Sequence, residues 1–504
     1  MSEYLHGAYG DSQANGNRVS RESASAIVCV GTAPVHTVTG GANNVNKPVL
    51  VHNIAEAKKY FGYSDDWASY TLCEAMHHFF ETKGIGPLVL INVLDPGTHK
   101  ADAPTSTQKT PVNNRITISN AENIILDSVT VKTIVDDGES GDPVQKVKGT
   151  DYTILYNVTN KSIVITGIGS GLGTDALTVA YDTVTPDTVT NENVIGASDG
   201  LGTNTGLYAV KNVYQLTGVI PAYLIAPGFS SVPAIHEAMY QNSQKVNGHW
   251  DLWMFTDLPL MNTATALTME TVTAFKTANG YEHPNETVYF PMIQGVDGKK
   301  YHLSVIAAAN FLELLSENEG IPYHSASNTD APIIEKLWMG ESDTDKLFDD
   351  EIINERLNKN GIASAAFVGG RWAIWGAHAA DYNPNDADYV NVAETSRMML
   401  YYVSNDFQAR RPRDVDRPMT ANDIASIVAE EQSRLDALKA MGALIYGEAA
   451  LDAEALANSD VYSGDFVFEF RVTTTPLAKS LKAIVTWVDD GFSTYFATGN
   501  SDAV

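Results

Sequence analysis

The run Pro87–Leu94, PLVLINVL, decides how this chain folds. It is apolar at nearly every position, which suits a strand buried on both faces rather than one with a wet side. Upstream, Ala26–Thr32 (AIVCVGT) is a second short β-rich run closed by a glycine. Between the two, Asn53 stands where an N-cap would open a helix through Phe61. Trp67–Lys83 has the spacing of an amphipathic helix, with Leu72, Met76, Phe79 and Phe80 inward and Gly84 as its stop. Strand, helix, helix, strand is the opening of an α/β domain.

Downstream the texture changes. From Ala101 to about Thr190 the chain is rich in Thr, Val, Ile, Asp and Gly, with strand-like runs at Arg115–Ser119, Ile124–Leu126, Val129–Val135, Tyr152–Val158, Ser162–Thr166 and Ala176–Tyr181. This reads as an all-β insert, a sandwich. The glycine-rich Gly196–Gly206 leads back to alternating elements: helices at Tyr208–Leu216, Val232–Val246, Ala264–Ala278 and Leu303–Ser316, strands at Ala222–Ala226, Asp251–Thr256, Thr287–Phe290 and Ala365–Gly369. That rhythm predicts a doubly wound, mostly parallel sheet. The last part differs again, with helices at Asn391–Val403 and Ala421–Met441 followed by strand-like runs at Asp465–Val472, Leu481–Val488 and Phe492–Phe496. The fold class is therefore multidomain α/β. Its expected parts are an N-terminal arm (1–21), a first α/β segment (22–100), a β-sandwich insertion (101–195), a second α/β domain (196–385), an α+β C-terminal domain (386–490) and a C-terminal arm (491–504).

Composition narrows the function. With 33 Lys+Arg against 61 Asp+Glu the net charge is −28, which lacks the basic footprint that phosphate contacts need, so no nucleic-acid partner is expected. Two cysteines, Cys29 and Cys73, lie outside any CxxC and read as small core hydrophobes. No basic stretch followed by an apolar one opens the chain, and no run approaches a membrane span, so neither secretion nor membrane insertion is expected.

Candidate chemistry is thin. Glu74 and His77 have the i, i+3 spacing of a carboxylate–imidazole metal pair, with His78 and Glu81 beside them, but no second Glu-x-x-His accompanies them. Gly167–Gly173 (GIGSGLG) and Gly200–Gly206 (GLGTNTG) do not match GxGxxG and read as turns. No GxSxG or HExxH is present; Asp257, His302 and Ser304 could be imagined as a triad, yet two residues apart at a helix start His302 and Ser304 point away from each other. No cofactor is expected. An α/β hydrolase-like enzyme with a β-sandwich accessory domain, resting on Asp257 or His302, is the alternative to a structural protein.

The ends are more telling. Tyr4, Leu5 and Tyr9 in the opening YLHGAYG are poor choices for a solvated tail, and Phe492, Tyr495 and Phe496 close the chain with a strand-like run. Terminal strands and arms can add to an unpaired sheet edge of a neighbouring chain. Arg410, Arg411, Arg413 and Arg417 form a basic spot in an acidic protein, read either as docking onto an acidic partner or as local neutralisation by Asp406, Asp414 and Asp416.

Taken in order, the chain resembles the tail sheath proteins of contractile phages and related contractile injection particles. Tyr4–Gly10 resembles the N-terminal arm of that family; Asn53–Gly62 (NIAEAKKYFG) with Trp67–Lys83 and Pro87–Val93 its first folded segment; Asp151–Tyr181 its β-sandwich; and Gly369–Ala377 (GGRWAIWGA) with Asn391–Asn405, Ala421–Gly442 and the final strands its closing half. The resemblance implies that the Tyr208–Gly370 region is the subtilisin-like domain of sheath proteins, used without proteolysis. It implies six-membered rings stacked around an inner tube, arms woven into neighbouring subunits, and contraction that drives the tube through a cell envelope. The implied partners are further copies of the chain, the tube protein, and baseplate and tail terminator proteins. The implied setting is a virion tail or contractile particle assembled in a bacterial cytoplasm. Tyr4, Leu5, Tyr9, Phe492, Tyr495 and Phe496 would link subunits, and Arg410, Arg411, Arg413 and Arg417 would meet the tube.

Overall fold

The computed structural model describes residues 25–134, 142–340, 346–385, 389–452 and 464–492. Its first strands are β1 (Ser25–Gly31), β2 (Val49–Val51) and β3 (Leu88–Asn92), with helices α1 (Ile54–Phe61) and α2 (Leu72–Met76) between the last two. The insert holds β4 (Thr105–Lys109), β5 (Arg115–Ser119), β6 (Thr130–Thr133), β7 (Tyr152–Asn157), β8 (Ser162–Gly167) and β9 (Leu177–Tyr181). The chain returns through α3 (Asn191–Ile195) and α4 (Val213–Thr217) to β10 (Ile220–Ile225), α5 (Pro233–Gln241) and β11 (Trp253–Asp257). A hairpin, β12 (Met261–Asn262) and β13 (Thr265–Ala266), precedes α6 (Val272–Ala278) and β14 (Glu286–Tyr289). Then come β15 (Met292–Gly295), β16 (Lys300–Tyr301), α7 (Leu303–Glu317), β17 (Ile334–Trp338), α8 (Asp350–Arg356), β18 (Ile362–Val368) and β19 (Arg371–Trp375). The last elements are α9 (Glu394–Arg410), α10 (Ala421–Ala440), β20 (Leu444–Leu451) and β21 (Phe468–Thr474).

Eight strands form one sheet in the order β19-β18-β14-β11-β10-β1-β3-β2. Every pairing is parallel except those of the two edge strands, β19 on β18 and β2 on β3. The pleat of β1 sends Ile27 and Cys29 into one apolar core and Ala26, Val28 and Val30 into the other, so the strand has no wet face. Helices α1, α2, α6, α7 and α8 cover the first face; α3, α4 and α5 cover the second. The segment before the insert thus supplies three strands to the same sheet as the segment after it.

Four helices are shorter than the sequence rhythm predicts. Within Trp67–Lys83, α2 covers only Leu72–Met76, with π-helical backbone over His77–Thr82; within Tyr208–Leu216, α4 starts only at Val213, after a 3-10 stretch over Gly206–Asn212. The run expected as a helix over Ala264–Ala278 begins instead as the β12–β13 hairpin, and α6 starts only at Val272. The hairpin turns at Thr263, which sits at φ +55°, a conformation no helix can take, and β-branched Thr265 favours the extended backbone that follows. The helix expected over Val232–Val246 ends at Gln241, because Asn242 Nδ2 donates to Ala238 O at 2.9 Å and Ser243 Oγ to Tyr240 O at 2.8 Å, taking over the last carbonyls.

The insert is two three-stranded antiparallel sheets, β4-β9-β6 and β5-β8-β7, closed on a core that includes Ile116, Val131, Tyr152, Ile163, Ile165 and Val179. It leaves and rejoins the main body at one place: Ala101 N–H donates to Thr183 O at 2.9 Å and Thr185 N–H to His99 O at 2.9 Å. Its other ties to the body include His36 Nε2 with Glu122 O at 2.7 Å, Gly40 N–H with Asp127 Oδ2 at 2.7 Å, the Tyr70 hydroxyl to Asn123 Oδ1 at 3.4 Å, and Ile125, which packs into the first core.

The C-terminal unit packs α9 and α10 over the β20–β21 sheet around Met399, Leu435, Leu438 and Leu444. Helix α9 bolts this unit to the main sheet. Its buried Glu394 accepts from Thr287 Oγ1 in β14 and from Ser325 Oγ, while Asn405 exchanges two hydrogen bonds with the Asp251 backbone, at 3.2 and 2.9 Å.

Because the insert enters and leaves at adjacent bonds, replacing residues 102–182 by a short Gly/Ser linker should leave a cooperatively folding chain. Its unfolding midpoint, read by circular dichroism, should fall by several degrees for the lost His36, Gly40 and Tyr70 contacts and the Ile125 packing. Loss of the cooperative transition would show that the insert is integral to the main core.

Candidate functional site

In parallel sheets of this kind, ligands sit beyond the carboxyl ends of the strands where the order reverses. Here that point lies between β1 and β10, and it is filled. Thr71, at the start of α2, donates its N–H to Thr32 Oγ1 at 3.1 Å, and its own hydroxyl accepts from Thr32 N–H at 3.3 Å. A Cβ added to Gly31 would lie 2.3 Å from Thr71 Oγ1, and one added to Gly228, at φ +76°, 3.1 Å from Thr71 Cγ2.

Beside this plug the imagined triad residues do meet, in a different pairing. Ser304 Oγ donates to Asp257 Oδ2 at 2.5 Å, and Ser304 N–H to Asp257 Oδ1 at 3.0 Å. His302 turns to Glu74 instead: Nδ1 lies 2.8 Å from Glu74 Oε2, and its backbone N–H donates to Glu74 Oε1 at 2.6 Å. A serine nucleophile must hand its proton to an imidazole, whereas this hydroxyl is committed to a carboxylate. What the two carboxylates do is cap α7. That helix is buried all round from Leu303 to Leu312, so its first N–H groups have no water to bond, and Glu74 and Asp257 satisfy them at the positive end of the dipole. Burial pushes the imidazole of His302 down, but the charges of Glu74 and Asp257 outweigh it and hold its pKa at about 9; burial itself raises that of Asp257.

The Glu74–His77 metal pair does not form, since Glu74 belongs to His302 and His77 faces Glu81 at 3.6 Å. Among the described residues no group of three or more His, Cys, Asp or Glu is gathered to hold a metal. Among them, too, no helix is long and apolar enough to cross a membrane.

Of the four arginines, Arg410 and Arg411 are half-buried and neutralised within the C-terminal unit. Arg410 makes a two-pronged pair with Glu431 of α10, at 2.6 and 2.7 Å, and reaches Asp406 at 3.1 Å. Arg411 bonds Glu431 as well, with Glu430 at 3.0 Å and Asp414 at 3.2 Å. The two guanidinium groups outweigh the burial of Glu431 and hold its carboxyl below the usual range. Arg413 and Arg417 remain exposed, the latter 3.9 Å from Asp414. Neutralisation by Asp406 and Asp414 was legible from spacing; Glu431, the main partner, comes from the next helix.

The feature that sequence reasoning only half located is the segment after β21. Leu481–Val488, expected as a strand, forms none: among the described residues it has no strand neighbour to pair with. Leu481 and Val485 are each 92% exposed and Trp487 76%; Ile484, Val488 and Phe492 are exposed too. Its base is tied down by Thr475 N–H to Ala443 O at 3.2 Å and Lys479 Nζ to the Tyr382 hydroxyl at 2.9 Å. Tyr4, Leu5, Tyr9, Tyr495 and Phe496 lie outside the described residues.

In fold, this mixed α/β body with its β insert is similar to solved sheath proteins of contractile particles. The anti-feeding prophage helical sheath in its contracted state is similar over 97% of this chain and 100% of that one, with 11% identity and a TM-score of 0.53. The contracted PVC sheath complex of an extracellular contractile injection system is similar over 97% and 99%, with 11% identity and a TM-score of 0.53. In sequence the chain is 30% identical over 249 residues to the tail sheath protein of Burkholderia phage BcepMu. That match takes in 47% of this chain and 46% of the relative, so the chain spans about half the length of the curated relative it matches. No family model matches it.

The Glu74–His302 pair gives the fold a pH signature. The folded pKa of His302, about 9, lies above its ordinary 6.5. Its contribution is therefore complete below about pH 6.5 and disappears as pH rises through 9. Glu74→Gln should lose about 3 kcal/mol at pH 6 and flatten the decline in stability between pH 6.5 and 9, measured by urea unfolding. An unchanged slope would show that His302 is neutral in the fold.

Proposed function

We propose that this protein is the structural subunit of a contractile sheath. Copies assemble as six-membered rings stacked around an inner tube, and the lattice shortens to drive that tube through a cell envelope. The observation that carries this reading is the exposed apolar tail, Leu481–Val488 with Phe492, beside a two-stranded sheet. A segment that exposes large apolar groups on both faces to water is built to be buried by another chain. At about 25 cal/mol per Å² of apolar area, burying a few hundred Å² of it stabilises the lattice by several kcal/mol per subunit. The reading extends to the N-terminal arm, with Tyr4, Leu5 and Tyr9, as a second strand exchanged between subunits.

The remaining parts take roles within it. The main sheet is the subtilisin-like body, a rigid unit that carries no hydrolytic role because Ser304 and His302 serve the cap of α7. Contact with the tube falls to Arg413 and Arg417, since Arg410 and Arg411 are committed to Glu431. Baseplate and terminator proteins meet the ends of the polymer, and the particle forms in the cytoplasm of a bacterial host.

The test is electron microscopy of the purified chain alongside Val485→Asp/Trp487→Asp and a variant lacking residues 1–21. Long hollow tubes should form from the parent and from neither variant. The Val485→Asp/Trp487→Asp chain should keep the parent's unfolding midpoint, because both side chains are already in water. Tubes from that double variant, or none from the parent under any salt condition, would sink the reading.

A further inference from the structure

Outside the C-terminal segment, the two most exposed large apolar side chains among the described residues are Leu201, at 92%, and Leu347, at 89%. Neither owes its exposure to a slack loop. Leu201 stands at the tip of a finger, Gly196–Gly206, where Asp199 Oδ1 accepts Leu201 N–H at 2.7 Å and Thr203 N–H at 2.9 Å. Thr205 N–H donates to Ala197 O at 2.9 Å across the neck, and a Cβ on Gly196 would lie 1.9 Å from Thr205 O. Gly202, at φ +110°, makes the turn. Leu347 is held as firmly. Phe348 beside it packs on the first core, and Asp349 caps α8 by accepting Ile352 N–H at 2.9 Å.

One exposed leucine is ordinary. These two differ in that their surroundings are complementary. At the foot of the finger Gly206 N–H donates to Asn46 Oδ1 at 2.8 Å, and Asn204 Nδ2 to Asn212 Oδ1 at 2.8 Å. Lys47 and Lys211, each next to one of those asparagines, therefore flank it, while Asp199, its one acid, is turned to its own N–H groups. Beside Leu347 the sign is opposite. Arg356 is drawn toward Glu270 at 3.8 Å, and exposed Asp349, Asp350 and Glu351 set the local charge, with Ile352, 37% exposed, among them.

The two places lie at opposite ends of the main sheet. The finger adjoins the β3–β2 end, where Asn46 N–H donates to Asn92 O at 2.7 Å. Helix α8 lies at the other end, with Ile353 in the first core and Asn354 Oδ1 accepting from Trp375 Nε1 of β19 at 2.8 Å. Eight strands separate the ends by about 34 Å, so one chain cannot bring its own two patches together. Copies joined end to end through such a pair make a heterologous contact, which runs head to tail into a ring or a helix.

We infer that Leu201 of one copy packs on Leu347 and Ile352 of a second, with Lys47 and Lys211 facing Asp349, Asp350 and Glu351 across the contact. This rests on the sheath reading above and adds to it a contact between bodies that uses neither the tail nor the N-terminal arm.

Cysteine cross-linking of the assembled full-length chain tests it, with little background because Cys29 and Cys73 are fully buried. Leu201→Cys/Leu347→Cys should give a ladder of covalent oligomers on a non-reducing gel. Polymers co-assembled from separate Leu201→Cys and Leu347→Cys chains should stop at dimers, because each chain then carries half of the pair. Either single variant alone should give no cross-link. Leu201→Asp should keep the parent's unfolding midpoint, since the side chain is already in water, and lose the polymer. Dimers from a single variant, double-variant polymers without cross-links, or parent-like polymers from Leu201→Asp would each overturn the inference and leave the sheath reading standing. A parent chain that forms no polymer would remove the sheath reading, and this contact with it.

Discussion

The structure hangs on β1. Its backbone hydrogen-bonds to β3 on one side and β10 on the other, joining parts of the chain that the insert holds more than a hundred residues apart. Both faces of the strand are dry, so any polar side chain placed there would be buried without a partner. The two cores, the helices that cover them and the filled crevice at the carboxyl ends all take their positions from this one central strand. The cap of α7 continues the same logic: Glu74 comes from the segment before the insert and Asp257 and His302 from the segment after, so closing the helix also closes the body.

The C-terminal unit is attached by different physics. Helix α9 sends Met398 into the main core and Met399 into the small one, and Glu394 and Asn405 anchor it to the sheet through buried hydrogen bonds. At its far end the charges of Arg410, Arg411, Asp406, Glu431 and Arg434 bind it to α10. The apolar cluster beneath is small, and a two-stranded sheet is marginal by itself. The ionic network between the helices supplies the geometric definition that so small a core lacks.

The sequence made some of this legible and hid the rest for physical reasons. Strands such as Pro87–Leu94 and Ala26–Thr32 were readable because a strand buried on both faces has a nearly unbroken apolar run. The alternating faces of the insert, and of Phe468, Phe470 and Val472, were readable because a sheet with one wet face leaves a period of two. The order of strands was not, since β1 lies between β3 and β10 through pairings that leave no local mark. The same holds for the candidate sites: Glu74 bonds a histidine 228 positions away, and spacing within α2 suggested His77 in its place. Nothing in the sequence marks Gln432, whose side-chain amide bonds Gly447 O and Ala449 N–H on the edge of β20. The tail was read as a strand from its pattern and forms none among the described residues, because a strand also needs an edge to pair with and the pattern carries no sign of one.

The way the insert is joined has a mechanical meaning. A pull applied between the start of β1 and the C-terminal segment travels through the parallel ladder, α9 and the small sheet. At the insert it is shunted across the bonds at His99, Ala101, Thr183 and Thr185. The insert is a side branch that carries no tension. Its outer loops are free to lengthen, shorten or change sequence without altering the stiffness of the path that bears the load.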